Sequence, residues 1–407
     1  MAFRPVILST LLFALSSAGS ALAQASPRYA FSGFGTLGYA ALDDTALTYR
    51  SSRGGRGTGE SGSFALDSRL GLQLDAEFTP ALSATLQGVV REDADGDAGA
   101  TLEWAFLRWF VNDSVTARAG RMALPAFALS DYRDVGYVHT TVRPPEDVYS
   151  LVPFSRYDGV DLSVNGELGE TLWGFQIGGG SNEETLPDDV RARNEDAYIV
   201  NLTVERGPVR VRLSHSSVRA IIELPALEPL IGALRQAVAF VPTLAPIADD
   251  LATESIRATF DGIGLRFDVE RFFVDAEYAW RRFDGRYGRG DVDSWSLVLG
   301  TRVGTLTPYV IASAHLDKDE APDVELPPVP ELAPLAAAID AAYQDRSQST
   351  LGLGVRWDFA PNLAFKAQAE RVSSESRGFS LVRDDDPTAV TAIDDVTLYA
   401  VSLDFVF

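Results

Sequence analysis

From Leu66 to Phe78 the even positions read Leu66, Ser68, Leu70, Leu72, Leu74, Ala76 and Phe78; the odd ones read Asp67, Arg69, Gly71, Gln73, Asp75 and Glu77. Side chains alternate across a β-strand, so this period of two makes one face apolar and the other charged. The pattern returns along the chain. Leu351, Leu353, Val355, Trp357 and Phe359 oppose Gly352, Gly354, Arg356 and Asp358; Val274, Ala276, Tyr278 and Trp280 oppose Asp275, Glu277 and Arg281. Val209, Val211 and Leu213 oppose Arg210, Arg212 and Ser214, and Leu363, Phe365, Ala367 and Ala369 oppose Lys366, Gln368 and Glu370. Two segments depart from it. In 101–111, Glu103 and Arg108 have opposite parity, and in 254–269 the apolar phase changes near Asp261-Gly262, which predicts a bulge.

The strands so predicted are 30–41, 64–78, 82–91, 101–111, 115–121, 158–166, 171–180, 196–206, 209–217, 254–269, 271–283, 292–303, 306–316, 349–359, 362–373 and 395–407. That is about sixteen, an even number within the range of bacterial outer-membrane barrels. Connections alternate in length. Phe78-Thr79-Pro80-Ala81, Asn112-Asp113-Ser114, Gly207-Pro208 and Ala360-Pro361-Asn362 are tight turns, whereas 42–63, 122–157, 181–195, 218–253, 317–348 and 374–394 are long. A soluble sandwich also alternates but does not segregate its connections; a membrane barrel with periplasmic ends has short turns on one side and long loops on the other. The fold class expected is therefore all-β, a transmembrane antiparallel β-barrel. Apolar spacing of three and four in 221–247 and 327–343 (Leu227, Leu230, Ile231, Leu234, Val238; Leu332, Leu335, Ala336, Ala338, Ile339) predicts short helices within external loops. They would pack on the barrel mouth or on neighbouring loops; a lid or partner-binding role is the alternative.

The chain opens with Arg4, an apolar run from Val6 to Leu15 and small residues ending Ala21-Leu22-Ala23, the form of a secretory signal peptide. Residues 1–23 are expected to be removed, with cleavage after Ala25 as the alternative, leaving the barrel as 24–407. Their loss takes one Arg and no acid, so a formal charge of −22 becomes −23. The absence of Cys excludes a lipoprotein anchor, a disulfide framework and thiolate chemistry. The acidic balance argues against nucleic-acid binding. Most of the surplus acid lies in segments read as loops, as at Asp43, Asp44, Glu92, Asp93, Asp95, Asp97, Glu183, Glu184, Asp188, Asp189, Asp384, Asp385 and Asp386. Solvated outer loops explain it, with divalent-cation binding at the cell surface as the sharper alternative.

The last strand alternates Tyr399, Val401, Leu403, Phe405 and Phe407 with Leu398, Ala400, Ser402 and Asp404. An aromatic or aliphatic strand ending in Phe resembles the signal that delivers outer-membrane proteins to the barrel-assembly machinery. With it stand Phe31-Ser32-Gly33-Phe34-Gly35-Thr36-Leu37-Gly38-Tyr39, Arg118-Ala119-Gly120-Arg121 and Tyr157-Asp158-Gly159-Val160-Asp161-Leu162. On these residues the mature chain resembles a proteobacterial porin of the sixteen-stranded type. The resemblance implies a homotrimer among outer-membrane lipid and lipopolysaccharide, with a third external loop folded into the lumen. Here that loop is 122–157. It carries Asp131, Arg133, Asp134, His139, Arg143, Glu146, Asp147 and Arg156, and Pro125, Pro144, Pro145 and Pro153 to stiffen it.

A barrel this wide leaves a channel that side chains alone do not fill, and charges at its narrowest point set selectivity. The candidate constriction residues are Asp131, Arg133, Asp134, Arg143, Glu146 and Asp147 on the loop and Arg69, Arg118, Arg210 and Arg212 on the wall. Opposed acidic and basic rows would orient dipolar solutes; the alternative is that these charges pair among themselves. The function expected is passive diffusion of small polar solutes and ions through a water-filled pore. A substrate-specific channel for anions or sugars is the alternative, and a structural or adhesive barrel or an outer-membrane enzyme are further classes. The last would need a nucleophile, a base and an acid in reach, and His139, His215 and His315 lie in no such motif. No enzyme activity, cofactor or metal site is expected.

Overall fold

The computed structural model describes residues 27–252, 255–285, 290–318, 322, 326–327, 330–374, 378–383 and 393–407. The expected signal peptide and Asp384–Asp386 lie outside them. In chain order the strands are β1 (Arg28–Leu42), β2 (Leu47–Tyr49), β3 (Arg69–Thr79), β4 (Leu82–Glu92), β5 (Ala98–Phe110) and β6 (Val115–Ala123). Next come β7 (Arg156–Leu168), β8 (Thr171–Leu186), β9 (Val190–Arg206), β10 (Val209–Glu223), β11 (Ser255–Asp268) and β12 (Phe272–Phe283). The last are β13 (Val292–Thr301), β14 (Leu306–Asp317), β15 (Gln348–Ala360), β16 (Leu363–Ser374), β17 (Leu381–Arg383) and β18 (Ile393–Val406). Among the described residues, all but β2 and β17 form one closed antiparallel barrel of sixteen strands, each paired with its barrel neighbours in sequence. Closure joins the first strand to the last, from Phe34 opposite Val406 to Leu42 opposite Leu398.

Alternation decides which face each strand shows. Leu70, Leu72, Leu74, Leu107, Trp109, Leu213, Leu265, Leu351, Leu353, Val401 and Leu403 are exposed on the outside, where a bilayer would cover them. On the β16 and β18 walls Lys366, Gln368, Glu370, Ser402 and Asp404 are buried on the inside, because loops lie against them. Tyr399, Val401, Leu403, Phe405 and Phe407, expected to form an assembly signal, share the outward face, and the Phe407 backbone exchanges two hydrogen bonds with Gly33.

The parity conflict in 101–111 is a β-bulge. Gln87 pairs with Trp104 but Gly88 pairs with Leu102, so Glu103 is the extra residue and turns inward with Trp104. The bulge expected near Asp261-Gly262 is absent: β11 pairs without a register shift on both sides. There the apolar face changes sides instead. Ala258 and Phe260 are buried against a loop inside, while Ile263, Leu265 and Phe267 face outward. Residues 64–68, expected to begin a strand, form a turn that brings Leu66 against the inner core. The long connection expected at 181–195 is mostly strand. β8 and β9 continue as a ribbon to a turn with Asp188 and Asp189 at φ 63° and 58°. The ribbon's exposed face carries Glu183, Arg191 and Arg193 rather than apolar side chains, and its covered face carries Asn182, Ala192 and Asn194, so its sequence shows no apolar alternation.

The expected loop helices are present: α2 (Glu228–Ala237), α3 (Ala245–Leu251) and α4 (Ala333–Ala342), after a single turn α1 (Glu146–Tyr149). Leu234, Leu244, Ile247, Leu251, Ile339 and Tyr343 bury one another in a small external core, so these helices pack on neighbouring loops. The first external loop, L1 (43–68), and the last, L8 (375–392), meet through a two-stranded sheet of β2 and β17. Tyr49 and Leu381 there join Val142 of the third loop in a core inside the barrel mouth.

Candidate pore constriction

The third external loop, L3 (124–155), begins and ends at the rim, where the Leu124 amide donates to the Ser155 carbonyl at 2.9 Å. Between these ends it crosses the barrel interior, and it hydrogen-bonds to inward residues of most of the wall. The Ala128 amide and Tyr149 hydroxyl donate to Glu277 of β12, and Arg281 donates to the Leu151 carbonyl. Ser313 of β14 and Gln348 of β15 donate to Asp147 at 2.5 and 2.9 Å. Arg356 reaches the Tyr137 and His139 carbonyls, and the Val142 amide donates to Gln368. From β10, Arg212 donates to the Pro125 carbonyl at 2.7 Å. Apolar contacts add to these. Phe127 stacks on Tyr149 at 4.5 Å and meets Phe260 edge-on at 5.1 Å.

Two buried polar centres anchor the loop. In the first, Lys366 lies against the closing seam with no exposed side chain, 3.1 Å from Asp404, and donates to the Gly136 and Thr141 carbonyls. Thr36 of β1 and Ser402 of β18 donate to the same Asp404. A side chain at Gly136 would stand 2.2 Å from both Thr36 and Asp404, so only glycine lets the loop approach this closely. In the second, Arg143 grips Asp67 through two N–H groups, at 2.9 and 2.6 Å, and Glu370 through a third at 2.8 Å. Burial opposes these charges. The mutual attraction of the pair outweighs it, holding Asp67 below the usual carboxylate range and raising Arg143.

Asp134 is the electrostatic hinge between loops. Arg53 of L1 lies at 2.7 Å, Arg91 of β4 at 3.5 Å and Arg69 of β3 at 3.8 Å. Against its burial these cations hold Asp134 well below the ordinary carboxylate range. Burial, with Arg53 beside it, lowers Arg133 to about 10, and its guanidinium donates to the Tyr149 and Val152 carbonyls. His139 is lowered to about 3 by burial and the nearby Lys366 and Arg69 cations, so it is neutral at pH 7. Asp147 is raised by burial.

The ten candidate residues thus divide. Arg133, Asp134, Arg143 and Asp147 are buried within or beneath L3, and Arg69 turns toward Asp134. Glu146 accepts the Ser52 amide of L1 at 2.6 Å. Asp131 is exposed at the loop's inner edge, within electrostatic reach of Arg118 and Arg212. Arg118 itself is held by Asp161 at 2.6 Å. Arg210 stands apart, paired with Glu205 beside the tight turn Gly207-Pro208. Sequence reasoning overlooked Arg53, Glu103 and Asp404. Arg53 sits in the segment Arg53-Gly54-Gly55-Arg56-Gly57-Thr58-Gly59, whose composition reads only as a flexible loop. Asp404 was within reach, since it shares the inward parity of Ser402 in the last strand.

L3, L1 and residues 378–383 of L8 lie inside the barrel against β1, β3, β12–β16 and β18. Gln87, Gln176 and Asn201 point inward from β4, β8 and β9, while Arg118 of β6 is held by Asp161 and Arg212 of β10 by the Pro125 carbonyl of L3.

The fold is shared with solved outer-membrane proteins. OmpF of Salmonella typhi, in a complex with daunomycin, is 12% identical at a TM-score of 0.55, over 93% of this chain and 97% of that one. An anion-selective porin from Comamonas acidovorans is 14% identical at 0.52, over 94% and 100%. OmpT of Vibrio cholerae in a trimer form is 11% identical at 0.53, over 94% and 100%. At such identities the likeness shows the fold alone. A search of curated proteins finds no significant match. The model of the Gram-negative porin family matches residues 9–378. With a closed sixteen-stranded barrel whose third loop crosses the interior, the chain belongs to the Gram-negative porin family, a channel of the bacterial outer membrane.

Proposed function

We propose that the protein is a water-filled channel for passive diffusion of small polar solutes and ions, narrowed by L3, and that it carries no enzymatic activity. The observation that supports this reading best is the anchoring of L3 inside the barrel. Lys366, Arg356, Glu277 and Asp147 hold the loop against β12 to β16, and Asp131 stays exposed within electrostatic reach of Arg118 and Arg212. An exposed carboxylate among guanidiniums inside the barrel sets up a local field, which favours solutes able to exchange water for polar partners. The histidines are engaged in local pairing, His139 with the Arg133 carbonyl, His215 with Asp261 and His315 with Asp317. A homotrimer surrounded by lipid and lipopolysaccharide, delivered by the barrel-assembly machinery through its C-terminal strand, completes the reading.

The test is single-channel recording of the purified protein in planar bilayers. Stepwise conductance is expected, with larger steps after deletion of 131–153; a silent, correctly folded barrel would overturn the channel. Unchanged steps in the deletion variant would remove L3 as its narrowest point.

A further inference from the structure

Resting on the reading that lipopolysaccharide surrounds the barrel, we propose that Arg219 and Arg257, on the outer face of β10 and β11, clamp a phosphate of its lipid A headgroup. The register places the two residues directly opposite each other. Both share the parity of Leu213, Ile263 and Leu265, which point outward, and both are exposed. Like charges set directly opposite on one face of a sheet repel. An anion held between the two guanidiniums balances them.

The neighbouring side chains leave both arginines available. Among the described residues Arg257 has no carboxylate in ion-pair range, and its Nη1 donates to Ser217 Oγ at 3.1 Å. Arg219 meets Asp196 at 3.3 Å, an exposed pair of the kind that holds a side chain weakly. Glu195, opposite Arg219 on β9, is drawn to Arg193 at 3.3 Å, and Asp261, four positions along β11, to His215 at 2.7 Å. Arg282, diagonal to Arg257 on β12, is taken by Asp293. Height on the barrel selects the ligand. Tyr198, Tyr278 and Trp295 expose their rings on this wall, as an interfacial girdle does. Ser217 pairs with Tyr198, so Arg219, two positions on, stands about 7 Å along the strand beyond that ring, at the level of the polar headgroups. On the other side of the girdle lie Leu202, Leu213, Ile263 and Leu265, an exposed apolar strip for acyl chains. Lipid A joins phosphates and acyl chains in one molecule, so it meets the arginines and the strip together; inorganic phosphate meets the arginines alone.

The experiment follows binding of lipid A and of dephosphorylated lipid A to the folded full-length protein, freed of lipid in detergent, by native mass spectrometry, with inorganic phosphate as competitor. Lipid A should bind saturably, roughly ten- to a hundredfold more tightly than the dephosphorylated form, as hydrogen bonds to a charged group imply. Arg257→Gln and Arg219→Gln should each weaken lipid A about tenfold and leave the dephosphorylated form unchanged. Arg206→Gln, beside the periplasmic turn, is the control and should bind as the native protein does. Both clamp positions are exposed, so the heat-induced gel shift without lipid should stay where it is. Equal binding of the two lipids, or variants that hold lipid A as tightly as the native protein, would overturn the clamp. Displacement by inorganic phosphate at concentrations close to those of the lipid would make it a simple anion site and overturn it equally. A change of oligomer size in either variant would assign this wall to contact between copies of the chain, with the same consequence. The two readings fail separately. Variants that retain lipid A remove the clamp and leave the surrounding lipopolysaccharide, whereas a native protein that takes up no lipid A removes both.

Discussion

Replacing Asp134 by Asn removes one carboxylate from the point where L1, L3 and two strands meet. At an effective dielectric of about 20, unit charges at the separations of Arg53 (2.7 Å), Arg91 (3.5 Å) and Arg69 (3.8 Å) attract by about 6, about 5 and about 4 kcal/mol. Much of that gross attraction is offset by the desolvation of four buried charges, several kcal/mol for each ion. The amide leaves Arg53 and Arg69 without their counter-charge, while Arg91 keeps Glu103 at 2.6 Å, so the net cost should resemble that of breaking a buried pair, about 3–5 kcal/mol. It should fall on loop docking rather than on the strands, because the barrel ladder is untouched. Hydrogen exchange followed by mass spectrometry reads this directly. Amides of Val135, Val138, His139 and Val142, which are hydrogen-bonded in the docked loop, should exchange roughly 100- to 5,000-fold faster, at 1.36 kcal/mol per decade. Amides within β11 to β14 should not change. The lumen also gains one net positive charge, so reversal potentials under a salt gradient should move toward anion preference. Acceleration below about tenfold, with an unmoved reversal potential, would refute the assignment of Asp134 as the link between L1 and L3.

Further outcomes follow from the anchoring. Lys366→Met leaves Asp404 buried and unpaired at the seam, so the heat-induced shift of the folded barrel in gel electrophoresis should occur at a lower temperature. The double variant with Asp404→Leu should recover most of the loss, and equal loss in both would show that the pair is not the cause. Docking of L3 should weaken in acid. His139 is held at about 3 against an ordinary 6.5, so its contribution is intact above pH 6.5 and declines by about 1.4 kcal/mol per unit as pH falls toward 3. Asp134, whose pKa is lowered, adds a loss below its ordinary carboxylate range, while Asp147, whose pKa is raised, acts in the opposite direction. Exchange rates of the L3 amides at pH 7, 6 and 5, corrected for intrinsic exchange, should rise in the native protein and stay flat over this range in His139→Asn. Deleting Phe407 removes the ring over Gly33 and two backbone hydrogen bonds. It should reduce the folded fraction in cell envelopes more than the yield of refolding in detergent, and equal losses would make the residue a stabiliser of closure alone.

The barrel was legible in the sequence because its two solvents impose opposite demands at every second residue. Leu351 to Phe359 or Val274 to Trp280 state their orientation without help from any other part of the chain. Turn chemistry and loop lengths supply the polarity of the ends, and the terminal Phe407 marks the closing strand. The alternation fails where that contrast disappears. In 181–195 the exposed face is charged instead of apolar, and at Ala258 and Phe260 the interior is apolar because Phe127 has arrived there. Neither fact is local. The 122–157 segment was expected inside on family resemblance; its composition alone is equally that of a surface loop. Which of its charges would face water was decided by tertiary structure. Asp131 and Asp134 lie three residues apart in similar sequence, yet one is exposed and the other is surrounded by Arg53, Arg69 and Arg91. Burial and pairing depend on residues as distant as Arg143 and Glu370, 227 positions apart. Periodicity carries information about a strand and its solvent, whereas a site assembled from L1, L3 and the wall exists only once the barrel has closed around it.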